Sequence, residues 1–298
     1  MARSRFKTDR GLTLRMGGVS FGLGLLYVIF GVVLIQGFNL GLIGLVIVLG
    51  MAWGQWYFSD TLALKSMNAK EVTPAQAPEL HAMIDRLCVM ADMPKPRVAI
   101  AQTDIPNAFA TGRTPNHSAV CVTTGILQRL DADELEGVLA HELAHVANRD
   151  VTVMTVASSI GLLAGFITRW GMYAGNIFGG RNSKNGALPF MVVLLVSMVV
   201  YAISFVLTRS LSRYRELSAD RTGAYITGRP SKLASALVKI SGDMARIPNK
   251  DLRETQAVSA FFFAPALNRE SVSALFSTHP PLQQRLDQLA KVSTELSE

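Results

Sequence analysis

The chain has 298 residues, enough for one sizeable domain or two small ones. Only 17% of them are charged, against about 25% in ordinary soluble domains, so either a large buried core or contact with lipid is required. The net charge of +7 does not mark a nucleic-acid binder: the basic residues cluster beside apolar blocks, and no nucleic-acid motif is present.

Residues 16–35 and 40–58 carry no charge, and each is near the roughly 20 residues that cross a bilayer core of about 30 Å as a helix. The first block is long for a secretory signal and lacks a small-residue cleavage site, so the pair reads as a retained helical hairpin. Arg3, Arg5, Lys7, Arg10 and Arg15 precede it and place the N-terminus in the cytoplasm. Trp53, Trp56 and Tyr57 close the second block, where amphipathic rings favour the headgroup region.

Residues 59–150 read as soluble and mixed. The spacing of Leu80, Met83, Ile84 and Leu87 predicts a helix over 79–91, ended by Pro94 and Pro96. Arg97–Ala101 and Ala119–Thr123 read as short β-branched strands, with 107–112 between them as an edge strand or loop. Asp131 and Glu134 form a capping-box pattern that starts a helix running through Asn148. Two more uncharged blocks follow, 151–168 and 187–208, and Arg209, Arg213 and Arg215 return the chain to the cytoplasm. Helical stretches follow Pro230 and Pro281. Cys88 and Cys121 match neither a zinc spacing nor a disulfide framework and read as unreactive thiols.

The chemistry concentrates in His141-Glu142-Leu143-Ala144-His145. Residues four apart share a helix face, so two imidazoles can grip one ion with Glu142 beside them. Zinc takes neutral imidazole, and Glu142 is the candidate general base that takes a proton from water. A third protein ligand is required. His81, His117, His279 and a later carboxylate are open, and Glu216 is the best candidate from its helical segment. Asp220, four residues on, shares its face and is suited to accept the N–H of a ligand imidazole. His81 and His117 read as structural residues.

This pattern, with Asn148-Arg149-Asp150, the 107–112 stretch, Ser212 to Asp220 and Thr278-His279-Pro280-Pro281, resembles the HtpX membrane metalloproteases, gluzincins related to the CAAX prenyl proteases. The resemblance spans essentially the whole chain. It implies a mainly α membrane protein with an α+β zincin-like catalytic domain and a small sheet beside the zinc-binding helix. It further implies one Zn2+ per chain held by His141, His145 and Glu216, and an active site on the cytoplasmic face of a bacterial inner membrane. Polypeptide substrates, misfolded membrane proteins among them, and the bilayer are the implied partners; a homo-oligomer stays open. Asn107, Ala108 and Phe109 would align the substrate, and His279 would stabilise the oxyanion.

The chain thus divides into a basic tail with two spans (1–58), the first part of the catalytic domain with the zinc helix (59–150), a transmembrane or membrane-associated helical hairpin (151–208) and the second part of the catalytic domain with the third-ligand candidate (209–298). A CAAX-type prenyl protease and a non-catalytic membrane holdase or scaffold are the alternatives. A site-2-type protease is disfavoured because charges flank the zinc helix, and these are costly at bilayer depth.

Overall fold

In the computed structural model, residues 10–38, 46, 50, 53–54, 56–150, 152–154, 164, 187–244 and 279–297 are described. The first apolar block forms the core of helix α1 (Arg10–Phe38). The second and third blocks, and the loop before the fourth, fall mostly outside the described residues. Helix α2 (Ser59–Ser66) follows, then strand β1 (Ala69–Glu71), helix α3 (Pro78–Ala91), strands β2 (Arg97–Ala101), β3 (Ala108–Thr114) and β4 (His117–Thr123), and the short helix α4 (Thr124–Arg129).

The four strands make one sheet in the order β1-β2-β4-β3. β2 and β4 run parallel, and the two outer pairings are antiparallel. Alternation along the strands splits their side chains between two layers. Val98, Val120 and Val122 join the main core with Ile84, Leu87 and Leu139, while Ala99, Ala101, Ala119 and Cys121 face Ala63 and Leu64 of α2. Small residues on that second face let α2 lie close. Of stretch 107–112, residues 108–112 lie in strand β3, which occupies the sheet edge. Gly112 is needed there: at its φ of 135° an added Cβ would sit 2.3 Å from the His117 carbonyl oxygen.

Helix α5 (Ala132–Ala147) starts as its sequence predicts. Asp131 Oδ1 accepts from Glu134 N at 2.8 Å, and Glu134 Oε2 accepts from Asp131 N at 3.0 Å. The Glu134 carboxylate also accepts from Ser235 Oγ and Lys239 Nζ, both at 2.7 Å, which fastens helix α7 (Pro230–Met244) to the start of α5. Val138, Leu139 and Leu143 on α5 are wholly buried. Each contributes on the order of 1.5–3 kcal/mol by leaving water.

The uncharged run of the fourth block ends at Thr208, but its helix does not. It continues without interruption as helix α6 (Ala187–Thr227), 41 residues and about 60 Å long. Its apolar half packs on α1 through Leu23 against Leu211 and Leu207, and through Phe30 and Leu26 against Val200 and Val196. The outward faces of both helices are apolar: Phe21, Val28 and Ile29 on α1, Val192, Leu195, Val199 and Val206 on α6. Among the described residues, one helix is long and apolar enough to cross a membrane, over Leu194–Thr227. The C-terminal helix α8 (Leu282–Ser297) returns to α6, where Glu295 pairs with Arg221 at 2.8 Å and also accepts from the Tyr225 hydroxyl.

Helices α5 and α6 approach backbone to backbone. A Cβ on Gly223 would lie 2.8 Å from His141 N and 3.1 Å from Ala140 C, both backbone atoms that cannot rotate aside. Gly223→Ala is therefore expected to cost about 1–3 kcal/mol by forcing the helices apart. A thermal midpoint unchanged from the parent in detergent would show that the helices have room to spare.

Candidate metal centre

His141 and His145 lie one turn apart on α5, and both rings are buried. Their Nε2 atoms converge to 3.2 Å with the rings at 90°. Two turns before Gly223, α6 delivers Glu216 to the same point. Glu216 Oε2 is 3.6 Å from His141 Nε2, and Oε1 is 3.4 Å from His145 Nε2. Among the described residues, these three form a group whose donor atoms all lie within 4.8 Å of one another.

The spacing tests what such a group can hold. Bonds of about 2.0–2.2 Å to the corners of a tetrahedron place neighbouring donors about 3.3–3.6 Å apart. The observed separations, with one Glu216 oxygen toward each ring, lie close to that edge length, and two neutral nitrogens with one carboxylate suit a divalent cation of borderline softness.

The far side of each ring is also held. His141 Nδ1 is 2.9 Å from Asp220 Oδ1, and Arg285 on α8 reaches both oxygens of Asp220, from Nε at 2.7 Å and from Nη2 at 2.6 Å. His145 Nδ1 is 2.5 Å from Asp150 Oδ2, whose other oxygen lies 3.0 Å from Arg215 Nε. Carboxylates on Nδ1 fix the ring orientation that turns Nε2 toward a metal. His279 Nδ1 lies 2.9 Å from Glu216 Oε2, so this ring stands against the third candidate ligand.

Glu142 faces the sheet edge, and the backbone N–H of Ala110 donates to its Oε2 at 2.9 Å. Burial raises its carboxyl above the ordinary range, against the pull of His141 and His145. That is the direction a proton acceptor working near neutrality requires. Burial alone would push the His145 imidazole down; the carboxylates of Asp150 and Glu216 outweigh it and hold it at about 10. Burial pushes Asp150 up, yet Arg215 and His145 keep it below its usual value.

The structure thus brings together His141, Glu142 and His145 with Glu216 and Asp220 and with His279, from three separate stretches of the sequence. Asn107, Ala108 and Phe109 are placed differently. All three are buried, and the Asn107 carbonyl accepts from Thr123 N at 2.9 Å, so its backbone is turned to β4. By alternation Phe109 also faces β4, and Ala108 and Ala110 turn to the free edge. His81 Nε2 is 3.0 Å from the Val72 carbonyl oxygen and His117 is exposed at the start of β4, both outside the site. Burial lifts the thiols of Cys88 and Cys121 to about 11 and about 12, which makes them unreactive.

Three residues of the site have no signal in the helical pattern: Asp150, Arg215 and Arg285. Arg215 reads from sequence only as one of the basic residues on the cytoplasmic side, but it is buried on Asp150. Only the His145–Asp150 spacing, five residues across a helix end, offered a local clue.

Two helix-borne imidazoles, a carboxylate from a second helix and a buried glutamate beside an edge strand define a metallopeptidase type of site. Comparison with known proteins agrees. The description of peptidase family M48 matches residues 74–293. Protease HtpX homolog 1 of Streptomyces coelicolor is 54% identical over 297 residues, covering 99% of this chain and 97% of its own length. Protease HtpX homolog of Moorella thermoacetica is 51% identical over 297 residues, covering 99% of each chain. The crystal structure of S. mikatae Ste24p shares the fold, with a TM-score of 0.56 at 20% identity over 94% of this chain and 67% of that one. The chain belongs to peptidase family M48 and is a metalloprotease.

The raised pKa of His145 makes metal uptake a proton exchange. In the metal-free chain its charged form contributes stability that is complete below the unfolded value near 6.5 and is lost as pH rises through about 10. A divalent cation needs the neutral ring, so affinity should rise with pH over that window, with a proton released on binding at pH 7. Titration calorimetry in buffers of different ionisation enthalpy should give different apparent heats; identical heats would show that no proton leaves.

Proposed function

We propose that the chain is a zinc-dependent endopeptidase, anchored in a bacterial inner membrane, that cuts extended segments of misfolded or damaged membrane proteins at its cytoplasmic face. The observation that carries the reading is the cluster of donor atoms from His141, His145 and Glu216 with Glu142 buried beside it.

His141, His145 and Glu216 would hold one zinc ion, with Asp220 orienting His141. When bound, zinc supplies a Lewis acid that lowers the pKa of water to about 7 and polarises a carbonyl. Glu142 accepts the proton of the attacking water and returns it to the nitrogen of the departing amine as the C–N bond breaks. Its hydrogen bond from Ala110 holds the accepting carboxylate next to the strand on which the substrate lies.

The edge of β3 suits an extended peptide, which would add as a further strand. Ala108 turns its backbone to that edge, and Ala110 does so beside Glu142. Asn107 and Phe109 act by holding β3 on β4 and on α2, as their burial and pairing support. Pairing through backbone explains how one site accepts many sequences, as removal of damaged proteins requires. His279 touches the Glu216 ligand and so stands one carboxylate away from the metal position, and its role is to face the developing negative charge of the scissile carbonyl.

The outward apolar faces of α1 and α6 support the anchor, because exposed apolar surface of that extent is stable in lipid and not in water. Glu216 lies eight residues beyond Thr208, where the uncharged run ends, about 12 Å along the same helix, which supports a site just outside the bilayer. Arg209 and Arg213 lie between them, on the side that the positive-inside bias assigns to the cytoplasm.

Inverted inner-membrane vesicles carrying the parent chain should degrade added casein when zinc is supplied, and right-side-out vesicles should not. Vesicles with Glu142→Gln should lose activity by about 10²–10⁴-fold. Equal degradation by parent and variant, or by vesicles of both orientations, would remove the proposal. His279→Ala should lower kcat by about 10²–10³-fold with zinc content intact. If zinc is lost along with rate, His279 serves the Glu216 ligand instead.

A further inference from the structure

The end of α5 contains a unit that the peptidase reading does not use. Asn148 caps the helix with right-handed geometry, and Arg149 then takes a φ of 56°, a left-handed conformation that residues with a Cβ seldom adopt. This reversal carries Asp150 back beneath His145, five residues earlier, where Oδ2 meets Nδ1 at 2.5 Å. The second oxygen of Asp150 meets Arg215 Nε at 3.0 Å. Asp150 is 2% exposed and Arg215 8%, so neither pairs by surface chance.

The position of Arg215 gives the contact its consequence. It immediately precedes Glu216, the candidate third ligand. The Asp150–Arg215 pair therefore joins the end of the helix bearing both histidines to the helix bearing the glutamate. Its counterpart is arranged differently: Asp220, on the same helix as Glu216, reaches His141 on α5 directly, and its arginine, Arg285, comes from α8. The contact beneath His145 holds the two ligand-bearing helices in register.

We infer that the Arg149 turn, Asp150 and Arg215 form a positioning unit that retains the metal by fixing both the His145 ring and the spacing between α5 and Glu216. Arg215 acts as a fixed guanidinium that stops the Asp150 carboxylate from rotating, and Asp150 stops the imidazole from rotating. Asp150 and Arg215 act through His145 and Glu216 rather than on the metal. The inference rests on the reading of His141, His145 and Glu216 as metal ligands.

The test is metal retention in the full-length chain, purified in detergent and loaded with zinc. Asp150→Asn and Arg215→Ala should release zinc to an excess of chelator about 10–100 times faster than the parent, the scale on which orienting partners affect metal sites. Because the two residues act as one unit, the double variant should be no faster than the faster single variant. Arg215→Lys keeps the charge without the fixed plane and should fall between Arg215→Ala and the parent. Arg149→Gly, which adopts the turn freely, should retain zinc like the parent. Cobalt substitution gives an independent readout: the visible absorption of the tetrahedral ion should shift in Asp150→Asn and stay put in Arg149→Gly. Parent-like release in folded Arg215→Ala and Asp150→Asn overturns the inference. If Arg215→Ala does not fold, Arg215→Lys decides, and release at the parent rate overturns it. A parent chain that takes up no zinc overturns the metal reading, and this inference with it.

Discussion

The site exists because two helices touch at their backbones. His141 on α5 meets Gly223 on α6 with no side chain between them, and that closeness lets Glu216, two turns back along α6, reach the imidazoles. A metal ligand set tolerates errors of only a few tenths of an ångström, and helices separated by ordinary side chains would miss it. The capping box of α5 and the pinning of α7 on Glu134 fix one helix against the rest of the core. The arginine-supported carboxylates on both rings then convert approximate closeness into aligned donor atoms.

Several buried charges meet here without being left unpaired. Asp150, Asp220, Glu216, Arg215 and Arg285 are all less than 9% exposed. Isolated burial of any of them would cost several kcal/mol; as an alternating network each faces an opposite charge or an imidazole. Such a network offers little net stability over apolar packing. What it supplies is direction, since a carboxylate held by a guanidinium aims its lone pairs at one place.

The continuity of α6 has its own consequence. A break at Thr208 would let the apolar half and the site move separately. One unbroken helix makes the distance from the apolar surface to Glu216 a fixed number of residues, and α1 packs along the apolar half to hold its orientation. The edge strand is fastened to the same region, since the Thr152 hydroxyl donates to the Arg113 carbonyl at 2.9 Å while accepting from Trp56 Nε1 at 3.1 Å.

The amino-acid sequence by itself determined what depends on local spacing. Helix faces, the capping box at Asp131, the strands at 97–101 and 119–123, and the placing of His141, Glu142 and His145 on one helix all follow from a period of 2 or 3.6 residues. Glu216 and Asp220 were legible as a pair on one face, but not their destination, because nothing local relates α6 to α5. Tertiary structure alone decided that 108–114 is an edge strand with Asn107 turned inward, that Gly223 is the point of contact, and that Arg215 and Arg285 are buried on aspartates rather than solvated. An arginine looks the same in sequence whether water or a carboxylate surrounds it. Only the packing of distant segments chooses between them.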